Sequence, residues 1–187
     1  MGQRVYNINT SELKTMIPEL RAGDRVLLSG TIYTARDAAH KRIFELLEAG
    51  RQPPFEIRGA VIYYAGPTPA REGMVVGSCG PTTSGRMDAF TPRLLDLGLL
   101  GMIGKGERSP EVVSAIVRNG AIYFCAVGGA GALIARHIKS SEVIAFPELG
   151  CESIKRMTVE EFPLTVGIDS RGTSIYDHLK NLKKVSP

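Results

Sequence analysis

Ten consecutive residues, Cys79-Gly80-Pro81-Thr82-Thr83-Ser84-Gly85-Arg86-Met87-Asp88, bring together two glycines, a proline, three hydroxyls, a guanidinium and an acid. Hydroxyls after a Gly-Pro turn suit a helix start, where unpaired backbone N–H groups at a positive helix end attract an anion. Arg86 adds a planar fork that can take a carboxylate bidentately, while Thr82, Thr83 or Ser84 reaches a second substrate oxygen. Ordinary capping by serine and threonine is the alternative. Arg86 and the flanking glycines exceed what capping needs and favour a binding site. A threonine acts as a base only where adjacent cations stabilise its alkoxide. Asp88 reads as structural, accepting from the backbone or from a neighbouring arginine.

A second group is Thr34-Ala35-Arg36-Asp37-Ala38-Ala39-His40. An arginine in the first turn of a helix is electrostatically misplaced unless an anion offsets it, which makes Arg36 a candidate ligand for a carboxylate. His40, one turn on, reads as a packed, hydrogen-bonded surface histidine. A third group is Gly104-Lys105-Gly106-Glu107-Arg108-Ser109, a lysine between glycines that let it approach a ligand closely. It is not a phosphate-binding P-loop, because Gly106 rather than a hydroxyl follows Lys105. The fourth, Val127-Gly128-Gly129-Ala130-Gly131, lacks the full dinucleotide spacing, since Ile134 stands where Gly or Ala is needed. Close packing of helix on strand accounts for it; a nonenzymatic anion- or nucleotide-binding module is the competing reading. Cys79 reads as a packed thiol, and His137 and His178 are isolated.

These groups need elements to hold them. Short apolar runs alternate with helical patterns, and Gly or Pro marks nearly every junction, which predicts an α/β fold. Strands are expected at 4–8, 25–32, 60–64, 74–77, 101–103, 121–127, 142–146 and 163–168. The plainest helix starts at Thr34, with Asp37 three residues on in the manner of a capping box, and ends at Gly50. A second opens near Thr83, restarts at Thr91-Pro92 and runs to about Leu97; a third starts at Ser109-Pro110 and closes at Gly120. Gly66-Pro67-Thr68 and Gly80-Pro81-Thr82 repeat one turn, each after a strand, and are expected to rim the same cleft.

The 187 residues, 43% hydrophobic and 22% charged, suffice for one domain spanning 1–187. Three unevenly spaced cysteines, Cys79, Cys125 and Cys151, indicate neither a disulfide framework nor a self-contained metal site, so no metal ligands are assigned and a reducing cytoplasm is expected. No run approaches the roughly 20 apolar residues of a membrane span, and the start lacks a signal-peptide pattern. Aromatics are 6% with no Trp, and the net charge of +4 forms no basic stripe beyond Lys180, Lys183 and Lys184, so nucleic-acid binding is not expected. A modest positive charge suits small anionic substrates.

Taken in order, residues 29–40, 80–88 and 104–109 resemble the iron–sulfur hydro-lyases. The chain is similar to the β subunit of class I fumarate hydratase, equivalent to the C-terminal domain of the single-chain enzymes, and to the L-tartrate dehydratase β subunit. The resemblance implies a swivelling β/β/α domain with a central mixed sheet flanked by helices. It implies reversible hydration of fumarate to (S)-malate on a [4Fe-4S] cluster held by a partner α subunit, in an α2β2-type hetero-oligomer. Arg36, Thr82, Thr83, Arg86 and Lys105 would bind the C4 dicarboxylate. Thr82, Arg86 and Lys105 would be catalytic, with Thr82 at the proton-transfer position. Ser84 stands where many relatives have Ala.

Overall fold

A computed structural model describes residues 4–177. Its elements run β1 (Val5–Asn9), α1 (Leu13–Met16), β2 (Arg25–Thr34), α2 (Asp37–Glu48), β3 (Val61–Tyr63), α3 (Thr91–Asp96), β4 (Gly101–Gly104), α4 (Pro110–Asn119), β5 (Ile122–Cys125), α5 (Gly131–Ala135), β6 (Ile138–Ala145) and β7 (Ile154–Ile168). Short 3-10 turns lie at Ile17–Glu19, Ser84–Met87 and Pro147–Glu152. The α/β expectation holds: one mixed sheet has the order β1-β2-β3-β4-β5-β7-β6, with helices against it.

Strands β1 to β5 are mutually parallel, and β7 runs antiparallel to β2, β5 and β6. Because β7 pairs with both β2 and β5, the pairings close a circuit through β2, β3, β4, β5 and β7. Alternate residues therefore enter two cores. Val61, Tyr63, Ile103 and Phe124 join Leu28, Met157 and Phe162 on one side. Ile62, Tyr64, Met102 and Tyr123 face the other, under Ile43 of α2, Leu94 of α3 and Ile116 of α4. The central strands β3 and β4 are buried throughout, which is why they read as continuous apolar runs.

Several expectations need correction. Residues 74–77 form no strand. Thr68 N–H donates to Ser78 O at 2.9 Å and Gly77 N–H to Thr68 O at 3.0 Å, so the segment folds back as an irregular arm. Strand β7 has 15 residues and extends well before 163, and β6 starts at Ile138 rather than 142. Mixed charged and apolar residues along β7 hid its length, as did the break at Glu161, where φ is 51°. The short α1 was not expected. Helix α4 follows its signals: the Ser109 hydroxyl accepts from Val112 N–H, and Gly120 closes the helix in the left-handed conformation. Met1-Gly2-Gln3, His178 and the basic group Lys180, Lys183 and Lys184 lie outside the described residues.

Candidate functional site

The expected site residues follow the carboxyl ends of parallel strands, the edge where open α/β sheets bind ligands. Arg36 comes two residues after β2, the segment 80–88 lies on the crossover after β3, and Lys105 follows β4 directly. Pro81 bridges Ala65, so the two Gly-Pro-Thr turns do adjoin.

Arg36 is the N-cap residue of α2, with extended backbone and no side-chain cap. Thr34, expected to cap, is instead the buried last residue of β2; its hydroxyl donates to Ser153 O and accepts from Lys155 N–H. The cap comes from far along the chain, where Glu152 Oε2 accepts from Ala38 N–H at 3.0 Å. Glu152 Oε1 also pairs with Arg36 Nη2 at 3.3 Å. Asp37 Oδ1 accepts from Arg86 Nε at 2.9 Å, which joins the segments around Arg36 and Arg86. Asp37 Oδ2 faces Arg36 Nε across 4.0 Å, too far for a hydrogen bond, and both atoms are buried without a partner. Arg36, Asp37, Arg86 and Glu152 thus alternate cation and carboxylate.

The segment 80–88 differs from the expected helix start. Ser84–Met87 is a single 3-10 turn, and Ser84 N–H already donates to Lys105 O at 2.9 Å. One turn is too short to supply the N-terminal field of a full helix, which leaves the charged side chains as the main attraction for an anion here. Ser84 is fully buried, its hydroxyl 2.9 Å from Tyr123 Oη and accepting from Lys105 N–H at 3.1 Å, so it does not face a ligand. Thr82 is half-buried with its N–H on Tyr64 O, and Thr83 is exposed and bridges Lys105. Among the described residues neither threonine hydroxyl has a hydrogen-bond partner. The Lys105 side chain lies along the 127–131 turn: a Cβ at Gly128 would stand 3.5 Å from its Cδ. Gly131 is required by close packing, since Cys79 N–H donates to its carbonyl at 3.1 Å and a Cβ there would stand 3.0 Å from Gly80 N. The turn therefore packs backbone on backbone, on the 78–80 segment rather than on a strand, which disfavours a nucleotide cradle.

Asp88 has the expected structural role. It accepts from Arg108 Nε at 2.7 Å and Ser109 N–H at 2.6 Å. The buried Arg108 guanidinium also donates to Thr91 Oγ1 at 2.8 Å and lies over the rings of Tyr64 and Tyr123. Burial pulls its pKa down, but Tyr64 and Asp88 outweigh that and hold it above the ordinary value. This assembly fixes the Lys105 loop against the segment carrying Arg86. His40 is buried rather than on the surface, with Nδ1 2.8 Å from Arg36 O. Burial pushes its pKa down to about 4, only partly opposed by that carbonyl. Glu152, Tyr123 and Arg108 are the parts missed as members of the site. No local motif announces Glu152, whereas a lone arginine after the Lys105 loop was a usable sign of Arg108.

Among the described residues no three or more His, Cys, Asp or Glu side chains converge to hold a metal ion. The thiols do not fit a [4Fe-4S] cluster either: Cys79 is buried and pushed up to about 12 by desolvation, Cys125 is half-buried and raised for the same reason, and Cys151 is exposed. No helix among the described residues is long and apolar enough to cross a membrane.

Fold and site together define a mixed α/β unit that gathers cationic side chains on loops at the carboxyl ends of its parallel strands. The family model described as Fumarase C-terminus matches residues 2–179, and the chain belongs to that family. It is 38% identical over 172 residues to the anaerobic class I fumarate hydratase of Escherichia coli, covering 91% of this chain and 31% of that protein. It is 40% identical over 157 residues to the mitochondrial fumarate hydratase 1 of Leishmania major, covering 83% and 29%. The chain thus spans about a third of the length of these fumarate hydratases. With the putative L(+)-tartrate dehydratase subunit beta of Methanocaldococcus jannaschii it is 38% identical over 178 residues, covering 92% of this chain and 90% of that protein.

Proposed function

We propose that this chain is the β subunit of a heteromeric hydro-lyase that reversibly hydrates fumarate to (S)-malate, with the [4Fe-4S] cluster carried by a partner α subunit. The carrying observation is the placement of Arg36, Arg86 and Lys105 on loops after β2, β3 and β4, with a buried Arg36 Nε that lacks an acceptor. A C4 dicarboxylate presents two carboxylates to two guanidinium groups. Arg86 is free to exchange partners, because its side chain is 52% exposed and a pair as open as that with Asp37 is held weakly. Removing a proton from C3 of malate moves charge onto the adjacent carboxylate, so the transition state needs more positive charge than the ground state. Lys105 and Arg86 supply it, and the unpartnered Thr82 hydroxyl stands at the proton-transfer position. Thr83 adds a substrate contact. The thiols of this chain do not fit the cluster, in keeping with its assignment to the partner. The reading includes one domain over 1–187, an α2β2-type assembly and a cytoplasmic location suited to three unpaired cysteines.

The test is turnover by the complex of this chain with its α partner. Arg86→Ala should lower kcat/KM by about 10²-fold or more while the melting temperature stays near that of the parent. Near-parental turnover would overturn the reading. The match over nearly the full length of the M. jannaschii protein favours a second substrate, L-tartrate, which the same arginines would hold. Rates with fumarate, malate and L-tartrate in one preparation separate the two.

A further inference from the structure

Glu152 enters the site from the turn between β6 and β7, remote in sequence from every motif above. One carboxylate binds twice, to Arg36 Nη2 at 3.3 Å and to Ala38 N–H at 3.0 Å. It thereby ties the guanidinium to the first turn of the helix that Arg36 begins. The turn itself is braced from two sides. From α2, Arg42 donates to Glu148 at 2.8 Å and lies 4.7 Å over the Phe146 ring. From β7, Lys155 Nζ donates to Gly150 O and Cys151 O, each at 3.2 Å, and to Ser153 Oγ at 2.7 Å. Phe146 holds a φ of 54°, a left-handed conformation that a bulky residue keeps only where its surroundings impose it. A Cβ at Gly66 would stand 3.1 Å from Arg36 Nη1 and 3.2 Å from Cys151 O, so the guanidinium is packed between this turn and the turn after β3.

We propose that Glu152 is a positioning residue for Arg36, holding the guanidinium in its ligand-binding orientation before substrate arrives; this rests on the reading of Arg36 as a carboxylate clamp. An arginine side chain has many rotamers, and ordering it at the moment of binding weakens affinity. Glu152 completes that ordering during folding. Because Arg36 grips a carboxylate present in both substrate and transition state, its pre-ordering acts on KM more than on kcat.

The experiment compares fumarate kinetics and melting of the complex with its α partner for the parent, Glu152→Gln, Glu152→Ala and Arg36→Ala. Glutamine keeps an acceptor for Ala38 N–H and removes the charge, so KM should rise about 3- to 10-fold with kcat within about 2-fold of the parent. Alanine should show the same rise in KM together with a lower melting temperature from the lost cap. Parental KM for Glu152→Gln, or a change confined to kcat, overturns the proposal and leaves Glu152 a helix cap. Parental kinetics for Arg36→Ala overturn the clamp reading and the proposal with it, an outcome separable from failure of Glu152 alone.

Discussion

Asp37 stands between the two arginines of the site, paired with Arg86 and held just out of reach of Arg36. The two arginines differ in exposure: Arg86 is open to solvent, so Asp37 holds it without locking it, whereas Arg36 is largely enclosed and its Nε is buried. His40 behind them is different. Its imidazole donates to the carbonyl of Arg36 from a fully buried position beside Tyr64 and Phe90. With a native pKa of about 4 against an ordinary 6.5, the unfolded chain takes up a proton in the window between those values that the native chain refuses. Stability therefore falls as pH drops from 6.5 towards 4, by up to about 3 kcal/mol. Denaturant titrations across that range should show the loss. His40→Asn, which keeps a donor for the Arg36 carbonyl, should flatten it; an unchanged slope would mean that another group controls the acid limb.

At the scale of elements, the site depends on how closely β4 approaches the segment carrying Arg86. Gly104 ends β4 directly beneath Ser84, and a Cβ added there would fall on Ser84 Oγ and stand 3.0 Å from Tyr64 Cδ2. Gly104→Ala should cost about 1–3 kcal/mol through forced displacement of the packed 84–87 turn, seen as a lower denaturation midpoint at unchanged slope. Adding Ser84→Ala should recover part of the loss; no recovery would place the strain against Tyr64 instead. Elements also differ in how legible they were. Helix α4 was readable because its cap, its proline and its closing glycine are all local. The start of α2 was misread because its cap is Glu152, over a hundred residues away, while the nearby Thr34 belongs to the sheet.

The whole molecule is organised by β7, whose pairing with both β2 and β5 closes the strand circuit and separates two cores. This chain corresponds to about a third of the fumarate hydratases it resembles and to nearly all of the M. jannaschii protein named as a putative L(+)-tartrate dehydratase subunit beta. On the proposed reading its cationic site is incomplete without the remainder. The isolated chain should then give no turnover of fumarate, malate or L-tartrate, and adding the α partner should restore it. Turnover by the isolated chain would sink the division of labour.

The α/β alternation, the buried central strands and the three ordered motifs that carry the resemblance are written locally along the chain, because apolar runs, Gly-Pro turns and caps act over a few residues. The sequence also marked Arg36 as a cation in need of an anion. Folding in three dimensions chose the anion that stands beside it, buried Ser84 as structure, and set Arg108 with Asp88 to brace the Lys105 loop. Those choices depend on which distant segments the sheet brings together. Hydrogen bonds and ion pairs formed across that distance leave no periodic trace in the chain.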